Sequence, residues 1–358
     1  MHCKVYLSDE GHGHIVRQRA VVEALLALKP ELEVTIQTKV HIRKAEQLIP
    51  HHHAIDKFNN IRWDKQEGGS PDLKAIQQRF DAYIGLSEHF IEDECSHYRY
   101  DFLLSDFVYE AFEIGRRQAK PAFGIAHFTW DWFFSKLYPP PIHSEVMSYF
   151  LSLMNNATRL YFPPFTPRDI IQHHKDKALQ VPFILNHQHE HKVVRDEQRF
   201  NVLIIDSGAG VLERGIRRSL KALTLMDDFI FYVSENYTVS HANIRTIPSN
   251  ELMVDYIVDM DLVIGRAGFN TISECIGLRT PMLLIGEEGN PEMMENLLLM
   301  KKENLASFIS MKVFEEDLDR FLPFFVKYEY KLILQAMRDH AMATNGADII
   351  AADILDRL

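Results

Sequence analysis

DLVIGRAGFNTISECIGLRTPMLLIGEEGNPEMMEN occupies residues 261–296. The segment opens with an apolar run of strand length, and residues 270–278 then carry apolar side chains at helical spacing, so residues 266–269 form a strand-to-helix turn. A second apolar run at 281–286 predicts the next strand, and after an acidic loop another helix begins near Glu292. Strands that alternate with helices in this way indicate an α/β fold with a parallel sheet.

The turn at residues 266–269 has the composition of an anion site. Such a turn points backbone N–H groups beyond the strand, and Gly268 lets a ligand approach the backbone closely. Asn270 is a good N-cap, while the positive end of the helix dipole and the charge of Arg266 favour a phosphate. One helical turn further on, Glu274 has the reach to bond the two hydroxyls of a ribose. These residues together predict a nucleotide site.

The same segment resembles the nucleotide-sugar site of two-domain (GT-B fold) glycosyltransferases, particularly the peptidoglycan N-acetylglucosaminyltransferase (MurG-like) type. The pattern of that family is roughly aspartate, apolar strand, Ser-Arg-x-Gly, Thr-x-x-Glu, Gly-x-Pro and a later Glu-Gln-x-x-Asn. Gly265 replaces the usual Ser, and Met293 stands where a Gln normally meets the sugar hydroxyls, which leaves the donor sugar open. The positions in register are Arg266, Gly268, Thr271, Glu274, Gly277, Pro281, Glu292 and Asn296.

The resemblance implies an α/β chain of the GT-B class, in which two doubly wound Rossmann-like parallel-sheet domains face each other across a cleft. Residues 1–183 are expected to form the acceptor-side domain and residues 199–340 the nucleotide-sugar-binding domain, with a polar linker at 184–198. A C-terminal helix in 341–358 would return to the N-terminal domain. A length of 358 residues and a hydrophobic content of 46% supply a core for each domain.

Composition and charge exclude several classes of protein. The net charge is −11 at pH 7, which argues against nucleic acid or an anionic membrane as the main partner. No apolar run approaches the roughly 20 residues of a membrane span, and the N-terminus lacks the pattern of a signal peptide, so we expect no transmembrane segment and a cytoplasmic location. The 3 cysteines, an odd number at wide spacing, support neither a disulfide framework nor a metal site.

Two histidine clusters are candidate zinc ligands. They are His51-His52-His53 and the run HQHEH at residues 187–191, in which alternate residues could share one face. Both lie in polar segments without cysteine or aspartate partners at the spacing of a structural zinc site. The sequence also lacks a DxD-type carboxylate pair, and we therefore predict no metal.

A second Gly-rich turn joins the first predicted strand, residues 4–8, to a helix that begins near Ile15. It reads GHGH at residues 11–14, in the position where open α/β sheets bind ligands. The pattern is not GxGxxG, and no acidic ribose partner follows the second strand, so a dinucleotide is disfavoured and we predict no cofactor.

Residues 102–106 predict a strand that ends in an aspartate, and residues 121–126 predict a later strand whose exit is the aromatic run HFTWDWFF. Aromatic side chains with a polar tip suit sugars and other amphipathic ligands, so His127, Trp130 and Trp132 are candidate acceptor-binding residues. Packing of these rings on the domain itself is an equal alternative.

The aspartate-ended strand, the aromatic run and Gly-His-Gly-His-x-x-Arg at residues 11–17 are also similar to the glycosyltransferase-like N-terminal half of plant L-arabinokinases and related bacterial proteins. No kinase half, Walker loop or galactokinase-type motif follows here.

The C-terminal domain is expected to open with the apolar strand 201–205, followed by Asp206 and a Gly loop. In the resembled family, a loop at this point lies under the diphosphate. A carboxylate at Asp206, where Gly is more usual, is unfavourable there unless it faces away or pairs with a cation such as Arg214, Arg217 or Arg218.

The resemblance implies an inverting, metal-independent hexosyltransferase that moves a sugar from a nucleoside-diphosphate sugar, with UDP or dTDP expected, to a hydroxyl acceptor. His14 is the candidate base, because imidazole suits proton removal near neutral pH and the resembled families carry a histidine at this turn. Asp106 would orient the ring, as in other His-Asp pairs, although a role as a helix cap is equally open. His12 is the rival base.

Two alternatives to transfer remain open. The motif Gly-x-Gly-His-x-x-Arg also resembles that of pseudaminic-acid-pathway hydrolases, in which the histidine would activate water, and a non-catalytic nucleotide-sugar sensor would bind without turnover. The sequence does not specify the nucleotide base, the sugar, the acceptor or the oligomeric state.

The predicted donor-binding residues are Gly208, Ala209, Gly210, Arg266, Ala267, Gly268, Phe269, Asn270, Thr271, Glu274, Glu288, Glu292 and Asn296. The predicted acceptor-binding residues are Gly11, His12, Gly13, His127, Trp130 and Trp132.

Overall fold

The computed structural model divides the chain into two compact units. The first comprises Met1–Asn186 and Thr344–Leu358, and the second comprises His187–Ala343. The structure describes residues 1–10, 13–39, 42–49, 53–55, 64, 71–137, 143–185, 190–206, 211–237, 239–248, 251–287, 289–340 and 342–358. The predicted residues that lie outside this part of the chain are Gly11, His12, Gly208, Ala209, Gly210 and Glu288, together with His51, His52, His187 and His189 of the histidine clusters.

The first unit alternates strands with helices. Its elements up to residue 180 are β1 (His2–Leu7), α1 (Gly13–Leu28), β2 (Glu33–Gln37), α2 (Ile42–Leu48), β3 (His53–Ile55), α3 (Leu73–His97), β4 (Phe102–Asp106), α4 (Glu110–Gln118), β5 (Ala122–Ile125), α5 (Trp130–Leu137), α6 (Ser144–Met154), β6 (Arg159–Phe162), α7 (Arg168–His173) and β7 (Ala178–Gln180). Among the described residues the strands form one sheet in the order β3-β2-β1-β4-β5-β6-β7, and every pairing is parallel. The order reverses between β1 and β4, as in doubly wound folds.

The register of this sheet places the ends of β1 and β4 side by side. Leu7 and Asp106, the last residues of the two strands, are partners across the pairing. The Ser8 N–H then donates to the Asp106 carbonyl at 3.0 Å. Because ligands bind outside the carboxyl ends of strands where the order reverses, the turn into α1 begins at the expected place for a site.

The second unit has the same alternation. Its elements are β8 (Phe200–Ile205), α8 (Glu213–Leu223), β9 (Phe229–Ser234), β10 (Ile244–Ile247), α9 (Val254–Ile257), β11 (Leu262–Arg266), α10 (Phe269–Leu278), β12 (Met282–Ile285), α11 (Pro291–Lys302), β13 (Ser307–Ile309), α12 (Met311–Glu316), α13 (Leu318–Tyr328) and α14 (Tyr330–Asp339). The described strands form a parallel sheet in the order β10-β9-β8-β11-β12-β13. The predicted α/β class with two doubly wound parallel sheets is confirmed.

The last helix, α15 (Gly346–Asp356), belongs to the first unit and packs against α1. Its buried stripe contains Ile350, Ala351 and Ile354, each 0% exposed, at helical spacing. A Cβ added at Gly346 would lie 2.2 Å from the Pro182 carbonyl oxygen, so only glycine allows the chain to approach this closely. In the part of the chain that the structure describes, no helix combines the length and apolar character needed to cross a membrane.

The aromatic run that follows β5 is part of the hydrophobic core of the first unit. Trp130 and Trp132 are only 3% and 7% exposed. The Trp130 indole N–H donates to the Phe107 carbonyl at 3.3 Å, which satisfies its polar atom inside the core. Because both indoles are covered by their own unit, the structure favours packing over the expected acceptor-binding role for these two residues.

Candidate functional site

His14 and Asp106 meet at the carboxyl end of the first unit's sheet. His14 lies in the first turn of α1, and Asp106 ends β4. The His14 Nδ1 and Asp106 Oδ1 atoms are 2.7 Å apart, and the two side chains are 11% and 0% exposed. The structure therefore brings together His14, the predicted base, and Asp106, the carboxylate predicted to orient its ring.

Three side chains of α1 converge on the Asp106 carboxylate. Besides His14, Arg17 donates from Nε at 2.9 Å and from Nη2 at 2.5 Å, and Gln18 donates from Nε2 at 2.9 Å. Burial alone would raise the pKa of Asp106, but the charge of Arg17 and the interaction with His14 hold that pKa well below its usual range. Asp106 is therefore ionised and acts only as an acceptor.

Arg17 and Gln18 are two side chains of this site that sequence motifs did not identify as functional. Both are buried, at 2% and 0% exposure. They lie three and four residues after His14, and this spacing puts all three side chains on one face of a helix. The spacing of three and four residues after His14 could have identified Arg17 and Gln18 from the sequence. A buried carboxylate that contacts a helix needs hydrogen-bond donors from that helix.

The ionised carboxylate fixes the tautomer of His14. Because Asp106 can only accept, the hydrogen bond at 2.7 Å requires the proton on Nδ1 of the ring. Arg17 Nη2 also approaches Nδ1, at 3.2 Å, but a guanidinium only donates, and the shorter contact of Nη2 is the one to Asp106 Oδ1 at 2.5 Å. The Nε2 atom of neutral His14 is therefore left with a lone pair that can take a proton.

Phe107 holds this arrangement at a strained backbone position. Its φ is +64°, which is unusual for a non-glycine residue. The ring makes edge contacts with His14 and His127, at centroid distances of 5.3 Å and 5.5 Å. Strained residues of this kind persist where the surroundings determine their conformation, which is common at functional sites.

The predicted phosphate turn lies between β11 and α10 of the second unit. Gly268 precedes α10 with φ −73° and ψ 139°, and a Cβ added there would meet no atom within 4 Å. The first bond within the helix runs from the Ile272 N–H to the Gly268 carbonyl at 3.1 Å. The N–H groups of residues 270 and 271 precede that bond, in the first turn of the helix, where the dipole is positive.

Two expectations for this turn need correction. Asn270 is not the N-cap, because the helix already begins at Phe269 and Gly268 occupies the cap without a side-chain bond. Arg266 does not present its charge to open solvent, because it forms a buried ion pair with Glu287 and each side chain is only 6% exposed. The parallel strands β11 and β12 end side by side, so Arg266 at the end of β11 meets Glu287 just beyond β12. The carboxylate compensates the charge of the arginine.

Asn296 supports the turn from α11. Its side-chain N–H donates to the Ala267 carbonyl at 2.9 Å, and the residue is 6% exposed. Glu292, the other predicted residue of this helix, is partly exposed, and Met293, which replaces the usual Gln, is 7% exposed. The Asn296 side chain thus holds the backbone of the predicted phosphate turn.

Glu274 lies one helical turn beyond the start of α10 and is partly buried. Burial, with a smaller contribution from the charge of Asp255, raises the pKa of Glu274 to about 8. Among the described residues no hydrogen bond to its side chain is found. A partly exposed carboxyl group of this kind is suited to bonding hydroxyl groups of a ligand.

Asp206 has a different partner from the predicted arginines. Its Oδ2 atom accepts a hydrogen bond of 2.6 Å from the Tyr237 hydroxyl. Arg217 pairs with Glu213 at 3.0 Å and lies over the Tyr237 ring. The other two arginines, Arg214 and Arg218, lie beside Glu315. A phenol, rather than a cation, therefore binds the Asp206 carboxylate.

One residue of the second histidine cluster has a described partner. The Nδ1 atom of His191 is 2.7 Å from Asp259 Oδ1. Within the described ranges, no group of three or more histidine, cysteine or acidic residues is placed to hold a metal ion.

Known proteins resemble both the sequence and the fold. Residues 223–352 match the glycosyltransferase family 28 C-terminal domain. Over 171 residues the chain is 29% identical to the UDP-N-acetylglucosamine--N-acetylmuramyl-(pentapeptide) pyrophosphoryl-undecaprenol N-acetylglucosamine transferase of Thermosipho melanesiensis. That match covers 46% of this chain and 48% of the relative, so the chain spans about half the length of the curated relative.

Solved structures resemble the chain over almost its whole length. The glycotransferase of kitacinnamycin matches with a TM-score of 0.68 and 14% identity, covering 99% of this chain and 98% of that one. Acinetobacter baumannii MurG matches with a TM-score of 0.58 and 13% identity, covering 100% of this chain and 99% of that one. The fold is therefore the GT-B fold of glycosyltransferases. The resemblance to the MurG-like group within this class, predicted from residues 261–296, is confirmed.

Proposed function

We propose that this protein is an inverting, metal-independent glycosyltransferase of the hexosyl class, which moves a sugar from a nucleoside-diphosphate sugar to a hydroxyl acceptor. The observation that carries the proposal is the buried contact of 2.7 Å between His14 and Asp106. The GT-B fold and the family 28 domain supply the class of reaction.

In the proposed reaction, His14 Nε2 takes the proton of the acceptor hydroxyl. The acceptor oxygen then attacks the anomeric carbon while the bond from that carbon to the nucleoside diphosphate breaks, which inverts the configuration. Asp106 keeps the ring in the Nδ1–H tautomer and stabilises the imidazolium that forms. General-base catalysis of this kind contributes about 100- to 10,000-fold in rate.

The start of α10 is the proposed diphosphate site. The N–H groups of residues 270 and 271 and the helix dipole can stabilise the charge of the leaving diphosphate without a divalent ion. Glu274 is the proposed partner of the ribose hydroxyls. UDP or dTDP is the expected nucleotide, and the name of the Thermosipho relative specifies UDP-N-acetylglucosamine as its donor.

Incubation with a panel of UDP- and dTDP-sugars, with and without polyhydroxyl acceptors, tests the proposal. We expect a glycoside whose anomeric configuration, determined by NMR, is opposite to that of the donor, with a rate unchanged by EDTA. His14→Ala should lower kcat by about 100- to 10,000-fold and leave nucleotide binding intact. His97→Ala, at an exposed histidine of the same unit, is the control. Full activity of the His14 variant would refute the assignment of the base.

Hydrolysis of a nucleotide sugar is the second candidate, and the same His14–Asp106 contact favours it, because this pair can activate water as readily as a hydroxyl. The panel distinguishes the two reactions. Free sugar released at the same rate with and without acceptor indicates a hydrolase. Binding without either product indicates a nucleotide-sugar sensor.

A further inference from the structure

A second imidazole lies beside the proposed base in the first unit. His127 follows β5 and is 7% exposed, and its ring contacts Phe107, as does the ring of His14. Arg17 reaches both rings, since its Nη1 atom is 3.3 Å from His127 Nδ1 and its Nη2 atom is 3.2 Å from His14 Nδ1. One guanidinium therefore links two histidines that come from different strand ends.

The contact with Arg17 determines which nitrogen of His127 carries a proton. A guanidinium has only N–H donors and stays charged in proteins. The His127 Nδ1 atom must therefore accept at 3.3 Å, which places the proton of the neutral ring on Nε2. The orientation is reinforced because Arg17 is itself fixed by two bonds to the Asp106 carboxylate.

The opposite tautomer holds at His14, where the acceptor is Asp106 and the proton is on Nδ1. We propose that Arg17 is a positioning residue that gives the two imidazoles opposite tautomers, so that the Nε2 atom of His14 is an acceptor and the Nε2 atom of His127 is a donor. The inference deepens the proposed function, because it rests on His14 as the base.

As a result, two chemically identical rings have different fixed roles, with His14 as a hydrogen-bond acceptor and His127 as a donor at Nε2. Either neutral imidazole could by itself adopt both tautomers. The Arg17–Asp106 ion pair removes that freedom, because it presents a donor to His127 and an acceptor to His14. Because Arg17 holds the Asp106 carboxylate, it helps to keep the proposed base in the form that can take a proton.

Long-range ¹H–¹⁵N NMR of the full chain labelled with ¹⁵N-histidine tests the tautomers directly. Spectra are recorded about two pH units above the ordinary imidazole pKa of ~6.5, and the two rings are assigned with His14→Gln and His127→Gln. We expect Nδ1–H at His14 and Nε2–H at His127. Any other combination in the unmutated protein overturns the inference, even if turnover is normal.

Arg17→Met provides the second readout. We expect the Nδ1–H tautomer of His127 to gain population, because Nδ1 loses the donor that Arg17 supplies. We also expect kcat to fall by about 10- to 100-fold while KM changes less than about 3-fold, because a misoriented catalytic group lowers the rate more than it weakens binding. Arg19→Met is the control, since Arg19 lies on the same helix but pairs with Glu23 at 2.6 Å. An Arg17 variant that folds and keeps the wild-type tautomers would overturn the assignment. Failure of the proposed function is a separate outcome, which full activity of the His14→Ala variant would show.

Discussion

Asn296 and Ala267 are joined by a hydrogen bond of 2.9 Å from a side-chain amide on α11 to a carbonyl in the turn before α10. This bond fixes the peptide that precedes Gly268, and so it determines where the N–H groups of the helix start point. A residue 29 positions away in the sequence therefore shapes the proposed diphosphate site.

Asn296→Ala should weaken nucleotide binding, because it removes the side chain that holds the turn at Ala267. The Ala267 carbonyl would lose its buried partner, at a cost of about 1–3 kcal/mol, and the turn would relax. We expect the dissociation constant for UDP or dTDP, measured by calorimetry, to rise by about 5- to 100-fold. The control is Asn236→Ala at an exposed position of the same unit. Equal affinities of the two variants would show that the bond does not shape the site.

The stability of the second unit should depend on pH through Glu274. Its pKa is raised from an ordinary value of 4.5 to about 8, so between these values the folded state holds a proton that the unfolded state has lost. Stability therefore falls as pH rises through this window, by up to about 1.4 kcal/mol per pH unit.

Glu274→Gln removes that dependence. Urea midpoints of the unliganded variant, compared with wild type at pH 5, 7 and 9, should show little difference at pH 5 and a growing advantage for the variant up to about pH 8. Midpoints that change in parallel across this range would contradict the raised pKa. The same variant should bind the nucleotide more weakly, if Glu274 bonds the ribose.

Because the backbone at Phe107 is left-handed, a glycine variant at this position should be more stable than an alanine variant, which is the reverse of the usual order in helices. Both Phe107→Ala and Phe107→Gly lose the ring contacts, but only alanine keeps a Cβ at φ +64°. We expect the glycine variant to be more stable by about 1 kcal/mol, measured by denaturant unfolding. Leu86, which is 56% exposed within α3, is the control position, where alanine should be the more stable by a similar amount. If alanine variants were more stable than glycine variants at both Phe107 and Leu86, backbone strain at Phe107 would be ruled out.

Gly346→Ala should detach the start of α15 from the first unit. The added Cβ would lie 2.2 Å from the Pro182 carbonyl oxygen, and backbone atoms cannot yield as a flexible side chain can. We expect a loss of about 1–3 kcal/mol and a lower melting temperature. Gly85→Ala, within α3, meets no atom within 4 Å and should be neutral or stabilising. Equal melting temperatures of the two variants would count against close packing at residue 346.

Local pattern was sufficient for much of the fold and for part of the site. The turn at 266–269 follows from an apolar strand, a glycine and a helical repeat, all adjacent in sequence. The proximity of His14 and Asp106 could be predicted because the ends of neighbouring parallel strands meet. Other contacts depend on the tertiary structure. Arg266 pairs with Glu287 because β11 and β12 are neighbours, and the burial of Trp130 depends on which side of a short helix faces the core.

The return of α15 to the first unit makes the second unit an insertion within it. Residues 187–343 are contiguous and can fold as soon as they leave the ribosome, whereas the first unit waits for residues 344–358. Of the two units, the one that begins first in the sequence is therefore the later one to acquire its full set of contacts. An isolated first unit would need residues 1–186 fused to 344–358, because a fragment that stops at 186 leaves the α15 face of α1 bare.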